Sequence, residues 1–188
     1  STGGDIDAIR ARLLKECPVM MGSVPVYQVG LTAARNKVLV DMTEDDIFNG
    51  IEKQAKEGVD SMTVHCGITK QTVDWLKRSG RIMDVVSRGG SFLTAWILHN
   101  EEENPLYSNF GYLLEMCRKY EITLSLGDGF RPGCIDDASD AAQISELMTL
   151  GRLVEKCREA GVQSMVEGPG HMPMDQIEAN MKLQQTIC

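Results

Sequence analysis

Glu167 and His171 are separated by Gly-Pro-Gly, a spacer that excludes a helical i, i+4 relation and lets both side chains turn toward one cavity. One carboxylate and one imidazole make half of a mononuclear metal site, which needs at least three ligands, so a metal here must draw on further residues. Ser87-Arg88-Gly89-Gly90 has a different chemistry: glycine amides running into a helix N-terminus can hold a phosphate while Arg88 supplies charge. The same four residues also suit a tight turn with its arginine salt-bridged at the surface. Asp128 and Arg131 flank Gly129 and Phe130 in a loop bounded by Gly127 and Gly133. They could contact hydroxyls or a ring nitrogen of a ligand, or form an ion pair that only shapes the loop. His65 closes an apolar stretch, where a hydrogen-bonded core histidine is as natural as a ligand-facing one.

These groups share a position in the chain. The pattern predicts strands at 24–28, 61–65, 83–86, 122–126 and 162–167, and each ends in polar or glycine-rich sequence: Tyr27-Gln28, His65-Cys66-Gly67, Ser87 to Gly90, Gly127 to Gly133, and Glu167 to His171. Helices are expected at 5–17, from Thr43 to Gly58, at 71–78, 91–102, 109–120 and 141–160, and from about 175. Thr43 followed by Asp46 is an N-cap with an acidic third helical residue, and Gly58 is a stop. Strands alternating with helices imply parallel pairing through right-handed crossovers, hence an α/β fold. No G-x-G-x-x-G follows a strand, and the chemistry collects at strand ends, which favours a parallel (β/α)8 TIM-type barrel over a doubly wound sheet. A complete barrel takes about 250 residues, so the chain reads as an incomplete segment, one partial catalytic domain over 1–188 with about five βα units. The absence of an initial Met and the stop at Cys188 within a helical pattern also read as a piece of a longer protein, whose exposed sheet edges would make it aggregate in isolation.

Composition narrows the partners. A net charge of -8 argues against a nucleic-acid surface, which needs clustered Lys and Arg. No apolar run suits a membrane span and the start lacks a signal peptide's features, so a cytoplasmic protein is expected. Six cysteines lie far apart with no C-x-x-C pair, as in a reducing compartment, and read mostly as packing residues.

Taken together, S-T-G-G-D, V-P-V-Y-Q, T-V-H-C-G, S-R-G-G-S, S-L-G-D-G-F-R-P-G and V-E-G-P-G-H-M-P resemble, in order and spacing across the whole chain, the phosphomethylpyrimidine synthase family of radical S-adenosylmethionine enzymes. The resemblance implies a (β/α)8 catalytic domain that rearranges 5-aminoimidazole ribonucleotide into 4-amino-5-hydroxymethyl-2-methylpyrimidine phosphate for thiamine. It implies S-adenosyl-L-methionine, a 4Fe-4S cluster that generates a 5′-deoxyadenosyl radical, an external electron donor, and zinc or another divalent metal. Substrate contacts would fall on Tyr27, His65, Ser87, Arg88, Gly89, Asp128, Gly129, Phe130, Arg131 and Glu167, with His171 as a metal ligand. It gives no catalytic residue beyond these contacts. The family's cluster cysteines, its second metal histidine and a further substrate tyrosine are not in this sequence, so the cluster region and an N-terminal domain would lie outside the chain, and the segment alone would be inactive. A homodimer is also implied.

Phe130 stands where leucine or methionine is common in the family, and Cys134 where a small residue is common. Both border the substrate loop and leave room for a paralogue, 5-hydroxybenzimidazole synthase, which takes the same substrate toward the cobalamin lower ligand. A non-catalytic nucleotide-binding module that keeps the pocket but has lost the cluster, or a metal-dependent aldolase or hydrolase on the same barrel, would also suit the loops.

Overall fold

The computed structural model describes residues 4–36 and 38–188, so Ser1, Thr2 and Gly3 of the opening motif lie outside the described residues. Four strands form one parallel sheet in the order β1-β2-β3-β4: β1 (Gly22–Ser23), β2 (Ser61–Val64), β3 (Thr123–Leu126) and β4 (Ser164–Val166). Neighbours in sequence are neighbours in the sheet, with Ser61 to Val64 paired in register with Thr123 to Leu126, and Leu124 to Leu126 with Ser164 to Val166. A doubly wound sheet would reverse its strand order partway; none of these four strands does.

Successive residues in a strand face opposite sides. Met62, Val64, Leu124 and Leu126 are buried and belong to the main apolar core. Thr63, Ser125 and Met165 alternate with them and give the other face a more polar character, with Met165 exposed. Helices cover the apolar side. The helix α1 (Ile6–Glu16) starts at Asp5, whose carboxylate accepts the Ala8 amide at 3.0 Å. The helix α3 (Glu44–Lys56) opens on the expected box, Thr43 Oγ1 accepting from Asp46 N and Asp46 from Thr43 N, and it buries Ile47, Ile51 and Ala55. Gly58 follows with φ +93°, the left-handed backbone that a helix stop asks of glycine. The helices α4 (Lys70–Ser79) and α8 (Ala141–Ala160) pack side by side, while α7 (Phe110–Tyr120) lies against α3. The last helix, α9 (Met174–Ile187), lies on α8.

Two expected strands are corrected. Residues 24–28 are not a strand; β1 ends at Ser23, and Pro25 begins the helix α2 (Pro25–Asn36), where its fixed φ suits the first helical position. Val26, Val29, Gly30 and Ala33 are buried in this helix, a spacing of three and four that outweighs the β-branched start. Residues 83–86 are not a strand either. The amides of Ile82 and Met83 are taken by the Asp137 carboxylate, at 2.8 and 2.9 Å, rather than by a neighbouring strand, and Asp84 has φ 45°. This loop leads into α5 (Arg88–Asn100), which a short helix, α6 (Pro105–Ser108), separates from α7. No helix of the described residues is long and apolar enough to cross a membrane.

Candidate active site

His65, one residue past β2 on the face of Thr63, is the hub. It is buried, its Nε2 lies 3.4 Å from the Ser87 hydroxyl, and its Nδ1 has no hydrogen-bond partner. Two glycines make room for it: a Cβ on Gly89 would sit 2.2 Å from His65 Cε1, and one on Gly127 would sit 3.0 Å from its Cδ2. Burial pulls the imidazole down, to about 4, against the opposing charge of Glu167. In the unfolded chain it titrates near 6.5. Between those values the unfolded chain takes up a proton that the folded chain refuses, so stability is fully present above about 6.5 and falls as the pH drops toward about 4. Urea midpoints at pH 7 and pH 5 check this: His65→Gln should lose less across the interval than the parent, and identical losses would refute the cause.

The Ser87 turn closes over the hub. Ser87 caps α5, its hydroxyl accepting from Gly90 N at 3.2 Å, and the amides of Arg88 and Gly89 have no intrahelical acceptor. A Cβ on Gly90 would come within 2.4 Å of the Gly129 carbonyl, so this turn and the Gly127 loop meet backbone to backbone. Arg88 is exposed, makes no salt bridge among the described residues, and holds its guanidinium 5.0 Å from the centre of the Tyr27 ring. The alternative of a salt-bridged surface arginine is therefore not what forms.

The Gly127 loop presents Asp128 and Arg131, paired at 3.1 Å, with Arg131 N donating to Asp128 O to close a turn. Burial raises the Asp128 carboxyl against the pull of Arg131. Phe130 is fully buried in the core, so its ring is a packing group; its N–H goes to Glu146 and its carbonyl to Arg81. Glu167 accepts from Thr63 Oγ1 at 3.1 Å and from Ser125 Oγ at 2.9 Å, which fixes its carboxylate on the polar face of the sheet. A Cβ on Gly170 would touch Asp128 Oδ2 at 2.7 Å, and Asp128, Arg131, Glu167 and Gly170 share a narrow cavity of about 20 Å³. A larger hollow of about 310 Å³ lies between α2 and α3, lined by residues such as Thr32, Asn49 and Lys53, and takes in none of these groups.

His171 Nδ1 lies 2.9 Å from the Pro132 carbonyl, which needs a proton on Nδ1 and leaves Nε2 with the lone pair. That tautomer fits a single imidazole ligand, although no group of three or more His, Cys, Asp or Glu among the described residues could hold a metal. The cysteines do not fit an iron-sulfur cluster. They form no such group, and burial pushes Cys66 and Cys117 up, Cys117 to about 12, which keeps them as thiols.

Sequence reasoning passed over three residues at the site whose side chains are buried. Glu146 lies on the buried stripe of α8 with Leu147, Leu150 and Leu153, and a carboxylate on an apolar helix face is the signal that could have found it. Asn104 donates to the carbonyls of His65 and Ile68 at 3.0 and 2.7 Å, and Arg81 pairs with Asp140. Neither stands out in its sequence context.

Parallel strands in consecutive order, with glycine-rich loops meeting over their carboxyl ends, define an α/β protein whose candidate ligand site lies at that end of the sheet. The family model described as the Radical SAM ThiC family matches residues 1–188, and the chain belongs to that family. It is 60% identical over 190 residues to phosphomethylpyrimidine synthase of Methanocaldococcus jannaschii, 57% over 189 residues to that of Moorella thermoacetica, and 56% over 189 residues to that of Desulfitobacterium hafniense. Each match covers the whole chain and 44% of the relative, so the chain spans less than half the length of these proteins.

Proposed function

We propose that the protein containing this chain converts 5-aminoimidazole ribonucleotide into 4-amino-5-hydroxymethyl-2-methylpyrimidine phosphate in thiamine biosynthesis. The observation that carries this reading is identity of 56 to 60%, over the full chain, to relatives of that name in both methanogens and bacteria. The consecutive parallel strands, with a polar face opposite the helices, are an arc of a (β/α)8 barrel completed by chain outside these residues.

Within that reading each loop has a task. The amides of Arg88 and Gly89, the Ser87 turn and the unpaired Arg88 guanidinium receive the phosphate. Tyr27 supports Arg88 through its ring face. Asp128 and Arg131 orient the ribose hydroxyls, with Gly129 and Phe130 contributing main chain only. Glu167, held by Thr63 and Ser125, and the neutral His65, with its open Nδ1, face the imidazole. The radical SAM family implies S-adenosylmethionine and a 4Fe-4S cluster, which supply when bound the radical that starts the rearrangement. The cluster's ligands come from outside this chain, and His171 gives one ligand to a zinc or similar divalent ion. An external electron donor, a homodimer and a cytoplasmic setting accompany this reading.

Anaerobic turnover of the full-length protein with 5-aminoimidazole ribonucleotide and S-adenosylmethionine, followed by mass analysis, tests it. The pyrimidine phosphate is expected, and 5-hydroxybenzimidazole as the product would overturn it. Of the two sequence departures that leave room for the benzimidazole route, Phe130 packs its ring in the core and so does not present it to a ligand.

A further inference from the structure

The turn from Asp128 to Arg131 is pinned through its middle. Glu146 Oε1 accepts the Gly129 amide at 2.8 Å and Oε2 accepts the Phe130 amide at 2.6 Å, one carboxylate oxygen for each of two successive N–H groups. From the other side Arg81 Nη2 donates to the Phe130 carbonyl, while its Nε and Nη2 hold Asp140 at 2.7 and 2.9 Å and its Nη1 reaches the Asp84 carbonyl at 3.1 Å. Glu146 and the side chain of Arg81 lie almost wholly out of solvent. Gly129 is closed in as well, because a Cβ there would meet Ile68 Cδ1 at 2.6 Å. The central peptides of the turn are thus held from α8 and from the segment before Ser87, and the flanking residues, Asp128 and Arg131, line the cavity shared with Glu167, which Glu146 borders from behind the turn with both carboxylate oxygens taken by the two amides.

We infer that Glu146, with Arg81 opposite it, is a positioning residue for substrate: it touches no ligand itself and sets where Asp128 and Arg131 stand. Because Arg81 sits in the segment that runs on to Ser87, it also ties this turn to the one assigned to phosphate. Burial pushes the Glu146 carboxyl up while the two amides, each bound to its own oxygen, pull it down, so the site holds this group at an electrostatic cost that packing alone does not require. An apolar side chain would fill the space, but it would leave two buried amides without acceptors.

This role rests on the substrate reading above, and the test separates the two. Binding of 5-aminoimidazole ribonucleotide to the full-length protein is measured calorimetrically without oxygen or S-adenosylmethionine, for the parent, Glu146→Gln, Asp128→Asn, their double variant and Arg81→Lys. Gln offers one acceptor where two are needed, so Glu146→Gln should bind at least about tenfold more weakly at temperatures where its melting curve shows it folded, the scale seen when an outer support of a site is removed. Because Glu146 acts through Asp128, the double variant should bind no more than about twofold less tightly than Asp128→Asn alone. Losses that multiply, or Glu146→Gln binding like the parent, would overturn the role. Should Glu146→Gln fail to fold, Arg81→Lys, which keeps a cation beside Asp140 but withdraws the fork from the Phe130 carbonyl, decides the matter, and unchanged binding there refutes it. A parent that does not bind this nucleotide strikes the substrate reading first and takes the positioning role with it.

Discussion

Gly89→Ala in the full-length enzyme should cut kcat/KM about 100-fold, the loss that accompanies a misplacement of roughly 1 Å in a reacting geometry. The added methyl would lie 2.2 to 2.7 Å from three atoms of the His65 ring, and the ring cannot retreat freely, since it is buried with Gly127 close on its Cδ2 side. Backbone propensity pulls the other way, because alanine is favoured over glycine in a helix by about 1 kcal/mol, so any loss of function comes from the displaced imidazole and not from an unwound α5. The double variant Gly89→Ala with His65→Ala tells the causes apart. Emptying the ring's place should restore the melting temperature and leave turnover low. Parental kcat/KM in Gly89→Ala would mean that the Ser87 turn does not sit on His65.

Arg81→Met should lower the unfolding free energy by about 3–5 kcal/mol, as removal of one member of a buried ion pair commonly does. The guanidinium is 1% exposed and makes a two-pronged contact with Asp140, whose carboxylate also caps α8 by accepting from Gln143 N at 2.9 Å. Without the cation, that carboxylate stays largely buried, and the carbonyls of Asp84 and Phe130 each lose a donor. Chemical denaturation of the full-length protein measures the change. A loss below about 1 kcal/mol, the range of exposed pairs, would show that the contact is solvated.

The elements that could be read from sequence are those in which one local signal agreed with the final packing. Thr43 with Asp46, the long helix of 141–160 and the apolar runs around Val64 and Leu124 all fall where expected. The loops carrying Asp128, Glu167 and His171 follow β3 and β4 as expected, while the Ser87 turn opens a helix without a strand before it. Residues 83–86 misled because Met83, Val85 and Val86 have the composition of a strand, while what decides their conformation is Asp137, more than fifty residues on. Residues 24–28 misled because β-branched residues before Tyr27 carry a strand's propensity, whereas the burial of Val29, Gly30 and Ala33 belongs to a helix. Supports such as Glu146 and Asn104 show their purpose only through main-chain partners supplied by other loops, and no local pattern encodes those.

The crowding of Gly89, Gly90, Gly127, Gly129 and Gly170 by neighbouring loops bears on how such a protein can change over generations. With Gly90 against the Gly129 main chain and the other four against side chains of neighbouring segments, no mutation can grow a new side chain at these positions without prising a neighbour away. On the proposed substrate reading, a shift in ligand preference would then come from exchanging functional groups already present, at Tyr27, Arg88 or Arg131, or from portions of the protein beyond these residues. The innermost surroundings of the ligand would stay nearly frozen while selection works on the periphery.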